Sequence, residues 1–232
     1  QGLSLRGHKV LVIDTDPQGS LTELFGIKPS SVDVSETVLP LYQGEEETLD
    51  YAVRPTYWDG IDIVKSFPMV FDAEFSLPGQ QMQNPKFEFW SVLDGGLDNL
   101  RNQYDVIVID TPPSLSYSAI NALMAANILV VPIPPSLLDF ASSAQFWRLY
   151  LDFAEPIRKA RGVEKSYDFI NVLMTRVDNQ ESMSAEVRRW IMSGYGDGVL
   201  PIEIPKTSIA STASSQFGTV YDVSESLSGS KT

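Results

Sequence analysis

Two apolar runs in this chain each end in an aspartate. The first, KVLVIDTDPQGS at residues 9–20, places Asp14 directly after four apolar residues, three of which are β-branched. The second, YDVIVIDTPPS at residues 104–114, ends in Asp110 in the same way. Such runs are typical of strands covered on both faces, which occur in parallel sheets with helices packed against them.

The carboxylates at the two strand ends are expected to lie at one edge of the sheet. All strands of a parallel sheet end at the same edge, and open α/β sheets bind their ligands there. Asp14 and Asp110 would meet at this edge, and Asp16 follows two residues after Asp14. One or two carboxylates suit a hydrated Mg²⁺ beside a phosphate chain. The alternative interpretation is that these residues are ordinary exposed loop acids.

Further strands and helices alternate along the chain. This alternation predicts an α/β fold with a mostly parallel, twisted sheet and helices on both faces. The predicted strands lie near residues 9–14, 61–65, 105–110, 127–133, 168–174 and 199–204. One predicted helix carries Trp90, Leu93, Leu97 and Leu100 on one face. A second covers residues 140–154, with Asp139 as its N-cap and with Pro156 either ending or kinking it.

Composition excludes several classes of protein. With 232 residues, of which 43% are hydrophobic, the chain can bury a core as one α/β domain or as two small ones. It has no cysteine, which excludes disulfides and cysteine-ligated metal sites within these residues. No apolar run reaches the roughly 18 residues of a membrane span. A net charge of −13 argues against a protein that coats nucleic acid over its whole surface.

The charges are distributed unevenly. Residues 41–100 contain eleven acids and three bases. We interpret about 41–87 as an acidic, insertion-like region. Within it, residues 68–87 are interpreted as a surface excursion. Residues 148–189 contain eight of the 17 Lys and Arg, which are interpreted either as a basic DNA-binding face or as a solvated helix surface. The basic candidates are Arg158, Lys159, Arg161, Lys165, Arg188 and Arg189. The acids that would balance them are Asp152, Glu155, Glu164 and Glu186.

Several segments resemble one protein family. GHKVLVIDTDPQGSLTELFG is similar to the second acidic motif of ParA-type partition ATPases, the deviant P-loop group that includes MinD, and YDVIVIDTPPSL resembles their Walker B strand. The resemblance continues in family order through NILVVPIPPSLLDFASSAQF, FINVLMTRVD and LPIEIPKTSIASTASSQFGTVYDV. Within the family, the plasmid partition proteins of the ParA and RepA types look most similar.

The resemblance implies ATP and Mg²⁺ as cofactors and a role for each acid. Asp110 matches the Walker B aspartate, which holds a Mg²⁺-bound water. Asp16 matches the acid that orients or activates the attacking water, and we assign it to the metal site together with Asp110. Asp14 ends the strand beside them and is assigned to the nucleotide site.

Four further residues match positions around the adenine of the family. They are Thr175, Arg176, Pro205 and Lys206. An alternative for Thr175 and Arg176 is a salt bridge at a strand end. His8, the only histidine, is interpreted as a surface turn residue.

The main departure from the family is the P-loop. No G-x-x-x-x-G-K-[ST] segment occurs in the 232 residues, so the chain by itself is expected to bind ATP weakly. Residues 1–7 are predicted to be the last turns of a helix that stops at Gly7. We therefore expect a single α/β ATPase-like domain over 1–232, truncated at both ends and lacking its first strand and P-loop, with two unpaired strand edges. A natural relative without a P-loop is the alternative.

The resemblance implies an ATP-dependent partition protein for plasmid or chromosome segregation. Such a protein is a nucleotide-switched homodimer that binds DNA non-specifically and is stimulated by a ParB-like partner. Its expected location is the cytoplasm, associated with the nucleoid. The alternatives are a MinD-like, membrane-associated spatial regulator and a non-motor or degenerate member of the same fold.

Overall fold

The computed structural model describes residues 1–162, 165–178 and 182–222. The strands are β1 (Val10–Asp14), β2 (Arg54–Pro55), β3 (Ile61–Val64), β4 (Val106–Asp110), β5 (Ile128–Ile133), β6 (Phe169–Val177) and β7 (Val199–Pro205). The helices are α1 (Ser20–Leu24), α2 (Leu39–Gln43), α3 (Ala73–Gln83), α4 (Val92–Gly96), α5 (Tyr117–Ala125), α6 (Leu137–Arg161), α7 (Ser182–Tyr195) and α8 (Ser208–Ser215). No helix in these ranges combines the length and apolarity that crossing a membrane requires.

The described residues group into two compact units. The first comprises Gln1–Ala125 with the described part of Ile209–Thr232, and the second comprises Ala126–Ser208. The expectation of one truncated α/β domain over residues 1–232 stays a prediction.

The sheet of the first unit places β1 between two parallel neighbours. The strand order is β2-β3-β1-β4, and only the two-residue β2 runs antiparallel. β1 pairs with β4 in register from Val10↔Val106 to Asp14↔Asp110. All five residues of β1 are buried, which explains why its sequence is apolar throughout and shows no alternation. β4 pairs with β1 alone within the described residues, and Val108 is 43% exposed.

The second unit contains a parallel sheet in the order β5-β6-β7. Helix α7 packs on it, and the shared core contains Ile133, Val172, Met174, Val187 and Ile191. β5 pairs with β6 alone in the described chain, and Val130 is 57% exposed. The expectation of two strand edges left unpaired by a missing first strand stays a prediction.

Most predicted elements are confirmed, including the α/β class and all six strands, within one to three residues at each end. Trp90, Leu93, Leu97 and Leu100 are all buried as predicted, although only Val92–Gly96 is α-helical. The turn at residues 1–7 also stops as predicted, because Gly7 adopts a left-handed conformation with φ 90°.

The interpretation of residues 68–87 as a surface excursion is wrong. A 3₁₀ turn at Pro68–Asp72 leads into α3, which buries Ala73 and Leu77. The helical period is weak in the sequence because so few positions face the core and because Pro78 lies inside the helix.

The predicted bounds of the helix at residues 140–154 are also wrong. Helix α6 begins at Leu137, and its N-cap is Ser136, whose side chain accepts a hydrogen bond from the Asp139 N–H. Pro156 lies inside the helix, which ends only before the left-handed Gly162. A single proline removes one backbone donor, and here it does not end the helix.

Candidate functional site

The carboxylate of Asp14 is fully buried and is held by hydrogen bonds. Its Oδ2 accepts from the Thr22 N–H at 2.8 Å and the Thr22 hydroxyl at 2.7 Å, and its Oδ1 accepts from the Asp16 N–H at 3.2 Å. Burial raises the pKa of Asp14, and the hydrogen bonds from Thr22 partly offset this effect. Asp14 therefore connects the end of β1 to α1 and shapes the turn between them.

This turn carries Asp16 with its side chain half-buried. Asp16 Oδ1 accepts from the Gln18 N–H at 2.9 Å, and its carbonyl accepts from the Ser66 hydroxyl at 2.7 Å and the Gly19 N–H at 2.9 Å. Gly19 has φ 64°, and a Cβ there would lie 2.9 Å from the Ser66 carbonyl oxygen. The turn therefore requires glycine at this position.

Asp110 lies opposite Asp14 at the end of β4. The Thr15 N–H and hydroxyl donate to the Asp110 carbonyl at 3.0 and 2.6 Å, which fixes the strand end. Residue 110 is exposed at the sheet edge, but its carboxyl is desolvated by the protein atoms beside it. The pKa of Asp110 is raised to about 6. Desolvation is the largest cause, and the negative charges of Asp14 and Asp16 raise the pKa further.

The three acids at this edge have no cationic partner among the residues that the structure describes. No ion pair in the described ranges involves Asp14, Asp16 or Asp110. No group of three or more His, Asp or Glu side chains in the same ranges has an arrangement that could hold a metal ion by itself. Asp110 and Asp16 nevertheless fit Mg²⁺, which takes one or two carboxylates and completes its shell with water and phosphate oxygens.

The four residues predicted around the adenine lie together at the ends of β6 and β7. Val177 is paired with Pro205, and the Lys206 N–H donates to the Val177 carbonyl at 2.9 Å. Arg176 has φ 53°, an uncommon conformation for a residue with a side chain, and it is exposed at a break in strand register. It forms no ion pair in the described part of the chain. Lys206 instead lies 3.5 Å from Asp178.

Three residues of the first unit's site were missed by the sequence analysis. Thr15 and Thr22 bind the strand-end aspartates. Ser66 binds the Asp16 carbonyl through its hydroxyl and donates its N–H to Thr22 Oγ1 at 2.9 Å. A signal existed for Ser66, because it follows predicted strand β3 at the same sheet edge as the acids.

Three of the six basic candidates are paired with acids within the described residues. Arg158 and Lys159 both pair with Glu155, and Arg188 pairs with Glu203 through two nitrogens. The solvated-helix alternative thus accounts for Arg158 and Lys159. Lys165 lies over the Tyr167 ring, and Arg189 is exposed. The Arg161 side chain and Glu164 lie outside the described residues.

Comparison with known proteins defines the class to which this fold and site belong. The family model described as "AAA domain" matches residues 1–160. The chain therefore belongs to the ParA-type family of P-loop ATPases, as the sequence motifs predicted.

Of two similar curated proteins, one is named for chromosome partitioning. Protein SopA of Escherichia coli K12 is 30% identical over 226 residues, which cover 96% of this chain and 57% of SopA. The chromosome partitioning protein ParA of Caulobacter vibrioides is 28% identical over 217 residues, which cover 93% of this chain and 76% of ParA. The chain thus spans little more than half the length of SopA.

A solved structure of a different activity shares the fold. It is cobyrinic acid a,c-diamide synthase from Mycobacterium smegmatis with a bound ATP analogue and magnesium. The identity is 28%, the TM-score is 0.73, and the match covers 89% of this chain and 78% of the other. The prediction of a P-loop NTPase-like sheet with helices on both faces is confirmed by this similarity.

Proposed function

We propose that this protein is an ATP-dependent partition ATPase that acts in plasmid or chromosome segregation. The observation that carries the proposal is the in-register pair Asp14 and Asp110, followed by Asp16, at one sheet edge where no ion pair of the described residues reaches them. The similarity to the chromosome partitioning protein ParA supports partition as the task. On this proposal, the protein is a cytoplasmic, nucleoid-associated homodimer that binds DNA non-specifically and is stimulated by a ParB-like partner.

The chain's own residues would position the reactants. Asp110 would hold a water of the hydrated Mg²⁺, and Asp16 would orient the water that attacks the γ-phosphate. Bound Mg²⁺ would neutralise the charge that develops on the phosphate oxygens. Thr15 would keep Asp110 in place through its two hydrogen bonds to the strand end. A role for Arg176 and Lys206 of the second unit beside the adenine stays a prediction from the family resemblance.

Replacing Asp16 with alanine tests this assignment in the full-length protein. The variant is expected to lower kcat for ATP hydrolysis by roughly a hundredfold, which is typical of a lost general base or water-orienting group. ATP-dependent dimerisation should remain, because the Asp16 side chain contributes only one hydrogen bond to the turn. The measurements are steady-state hydrolysis and light scattering with and without ATP.

The matched control is Asp59→Ala, which removes an exposed carboxylate elsewhere in the first unit. It should leave both readouts unchanged. If Asp16→Ala abolished dimerisation as well, Asp16 would have a structural role and the catalytic assignment would fail.

The basic residues of α7 allow a test of the DNA-binding proposal. Arg189→Ala is expected to weaken ATP-dependent binding to random-sequence DNA and to reduce the slope of log K against log salt by about one, because one phosphate contact is lost. Arg188→Ala should change this slope less, since Glu203 already neutralises Arg188. Salt titrations of both variants measure the difference. A wild-type slope in both variants would show that these arginines of α7 do not contact DNA.

A second candidate function is a synthetase that uses ATP to activate a small carboxylate. The 28% identity to cobyrinic acid a,c-diamide synthase favours it. The two candidates differ in their response to DNA. Hydrolysis that rises with random-sequence DNA and a ParB-like partner supports partition, whereas hydrolysis that requires a small carboxylate and an amide donor supports the synthetase.

A further inference from the structure

A carboxylate from the acidic segment lies at the first turn of α5. Glu74 Oε2 accepts from the Tyr117 N–H at 2.8 Å, and Glu74 Oε1 accepts from the Ser118 N–H at 3.1 Å. These amides belong to the first turn of a helix and have no partner within it. A carboxylate there also interacts favourably with the positive end of the helix dipole. Glu74 is 43 residues away in sequence and reaches α5 from α3.

The first turn of α5 lies next to the loop that follows Asp110 and to the turn that carries Asp16. A six-residue loop, 111–116, connects Asp110 to Tyr117. The Ser118 hydroxyl donates to the Thr15 carbonyl at 3.4 Å, in the turn between Asp14 and Asp16. The position of this helix turn therefore affects the Asp110 loop directly and the Asp16 turn through Ser118.

The rest of α5 is held independently of Glu74. Asn121 is fully buried, its amide donates to the Phe89 carbonyl at 2.8 Å, and its oxygen accepts from the Leu93 N–H at 3.1 Å. Loss of Glu74 would therefore release the first turn and leave the body of the helix in place.

Helix α3 in turn holds Glu74 in position. Ala73 and Leu77, on either side of Glu74, are fully buried, and the Gln80 amide donates to the Tyr42 carbonyl at 2.7 Å. The acidic segment thus contributes a fixed anchor to the site, in addition to solvated charges.

We propose that Glu74 is a positioning residue. Its hydrogen bonds hold the first turn of α5 in place, and this turn in turn positions Asp110 and Asp16 for catalysis. This inference rests on the proposed ATPase function. Glu74 does not contact the reacting groups. It acts through the Tyr117 and Ser118 amides, the 111–116 loop and the Thr15 carbonyl.

The test compares Glu74→Ala, Glu74→Gln and the control Glu47→Ala in the full-length protein. Glu47 is an exposed acid of the same segment with no hydrogen bond or ion pair in the described residues. Glu47→Ala therefore removes the same charge as Glu74→Ala without removing such a contact. Two readouts are needed. Hydrogen exchange of a peptide covering residues 114–122 reports the anchoring, and steady-state kinetics with ATP and Mg²⁺ report the positioning.

Glu74→Ala is expected to speed exchange of the 114–122 peptide by about tenfold, since two amide hydrogen bonds are lost. It should lower kcat by roughly ten- to a hundredfold, the cost of misplacing catalytic groups by about 1 Å, and leave KM for ATP within about twofold. Glu74→Gln retains one acceptor and should give intermediate values. Glu47→Ala should match the wild type in both readouts.

Two results would overturn the proposal. Unchanged exchange in Glu74→Ala would show that the carboxylate does not anchor α5, and faster exchange with unchanged kcat would show that Glu74 only caps a helix. If Glu74→Ala does not fold, the same criteria apply to Glu74→Gln. If the wild-type protein lacks ATPase activity, the proposed function fails, while the exchange data still decide whether Glu74 anchors the helix.

Discussion

Replacing Asp110 with asparagine in the full-length protein is expected to abolish ATP hydrolysis and to stabilise the metal-free fold. Hydrolysis should fall by roughly a hundredfold or more, because the side chain that would hold the Mg²⁺-bound water is lost. Stability should rise because the change removes one of three neighbouring carboxylates that no cation of the described residues neutralises. Phosphate release and denaturant unfolding in EDTA measure the two effects.

The stabilisation by Asp110→Asn should depend on pH in a defined direction. The pKa of Asp110 is raised to about 6 in the folded protein, so between its ordinary value of 3.8 and about 6 the folded state holds a proton that the unfolded state releases. The wild type therefore gains stability as pH falls through about 6, and Asp110→Asn lacks this gain. The difference in the free energy of unfolding between Asp110→Asn and the wild type should therefore shrink as the pH falls from about 7 to about 5. A difference that is constant over this range would contradict the uncompensated-charge interpretation.

Replacing Thr22 with valine is expected to lower the free energy of unfolding by about 3 kcal/mol. The substitution keeps the shape of the side chain but removes a fully buried hydroxyl that donates to Asp14 and accepts from the Ser66 N–H. Each buried group left without its partner costs roughly 1–3 kcal/mol. Denaturant unfolding near neutral pH measures the loss.

Thr22→Ser is the matched control, because it keeps the hydroxyl and removes one methyl group. It should cost about 1 kcal/mol, as expected for a small cavity. Equal losses in the two variants would show that the hydroxyl contributes little and that packing alone holds this turn.

The strands and the acid set of the site were predictable from sequence because their signals are local. Val10–Ile13 and Val106–Ile109 are short β-branched runs bounded by turns, and such runs predict strands wherever they pack. The helices were less predictable. Pro78 and Pro156 lie inside helices α3 and α6, and local rules favour helix ends at both positions.

The partners of the site residues could not be predicted, because they come from distant parts of the chain. Ser66 reaches Asp16 across 50 residues, and Glu74 reaches Tyr117 across 43. Arg188 was a candidate for either a basic face or a solvated helix surface, and β7 brings Glu203 to it. A charge count along the sequence cannot separate a neutralised arginine from an exposed one.

The sequence by itself determined the α/β class, the family and the two strands that deliver Asp14 and Asp110 to one sheet edge, since these follow from local patterns and motifs. Only the tertiary structure decided how the two acids differ. β1 lies between two strands, so Asp14 is fully buried and satisfied by Thr22, whereas β4 has one partner in the described chain and leaves Asp110 at an open edge. Strand order is a long-range property, and it separates a buried, hydrogen-bonded aspartate from one that lies exposed at a sheet edge.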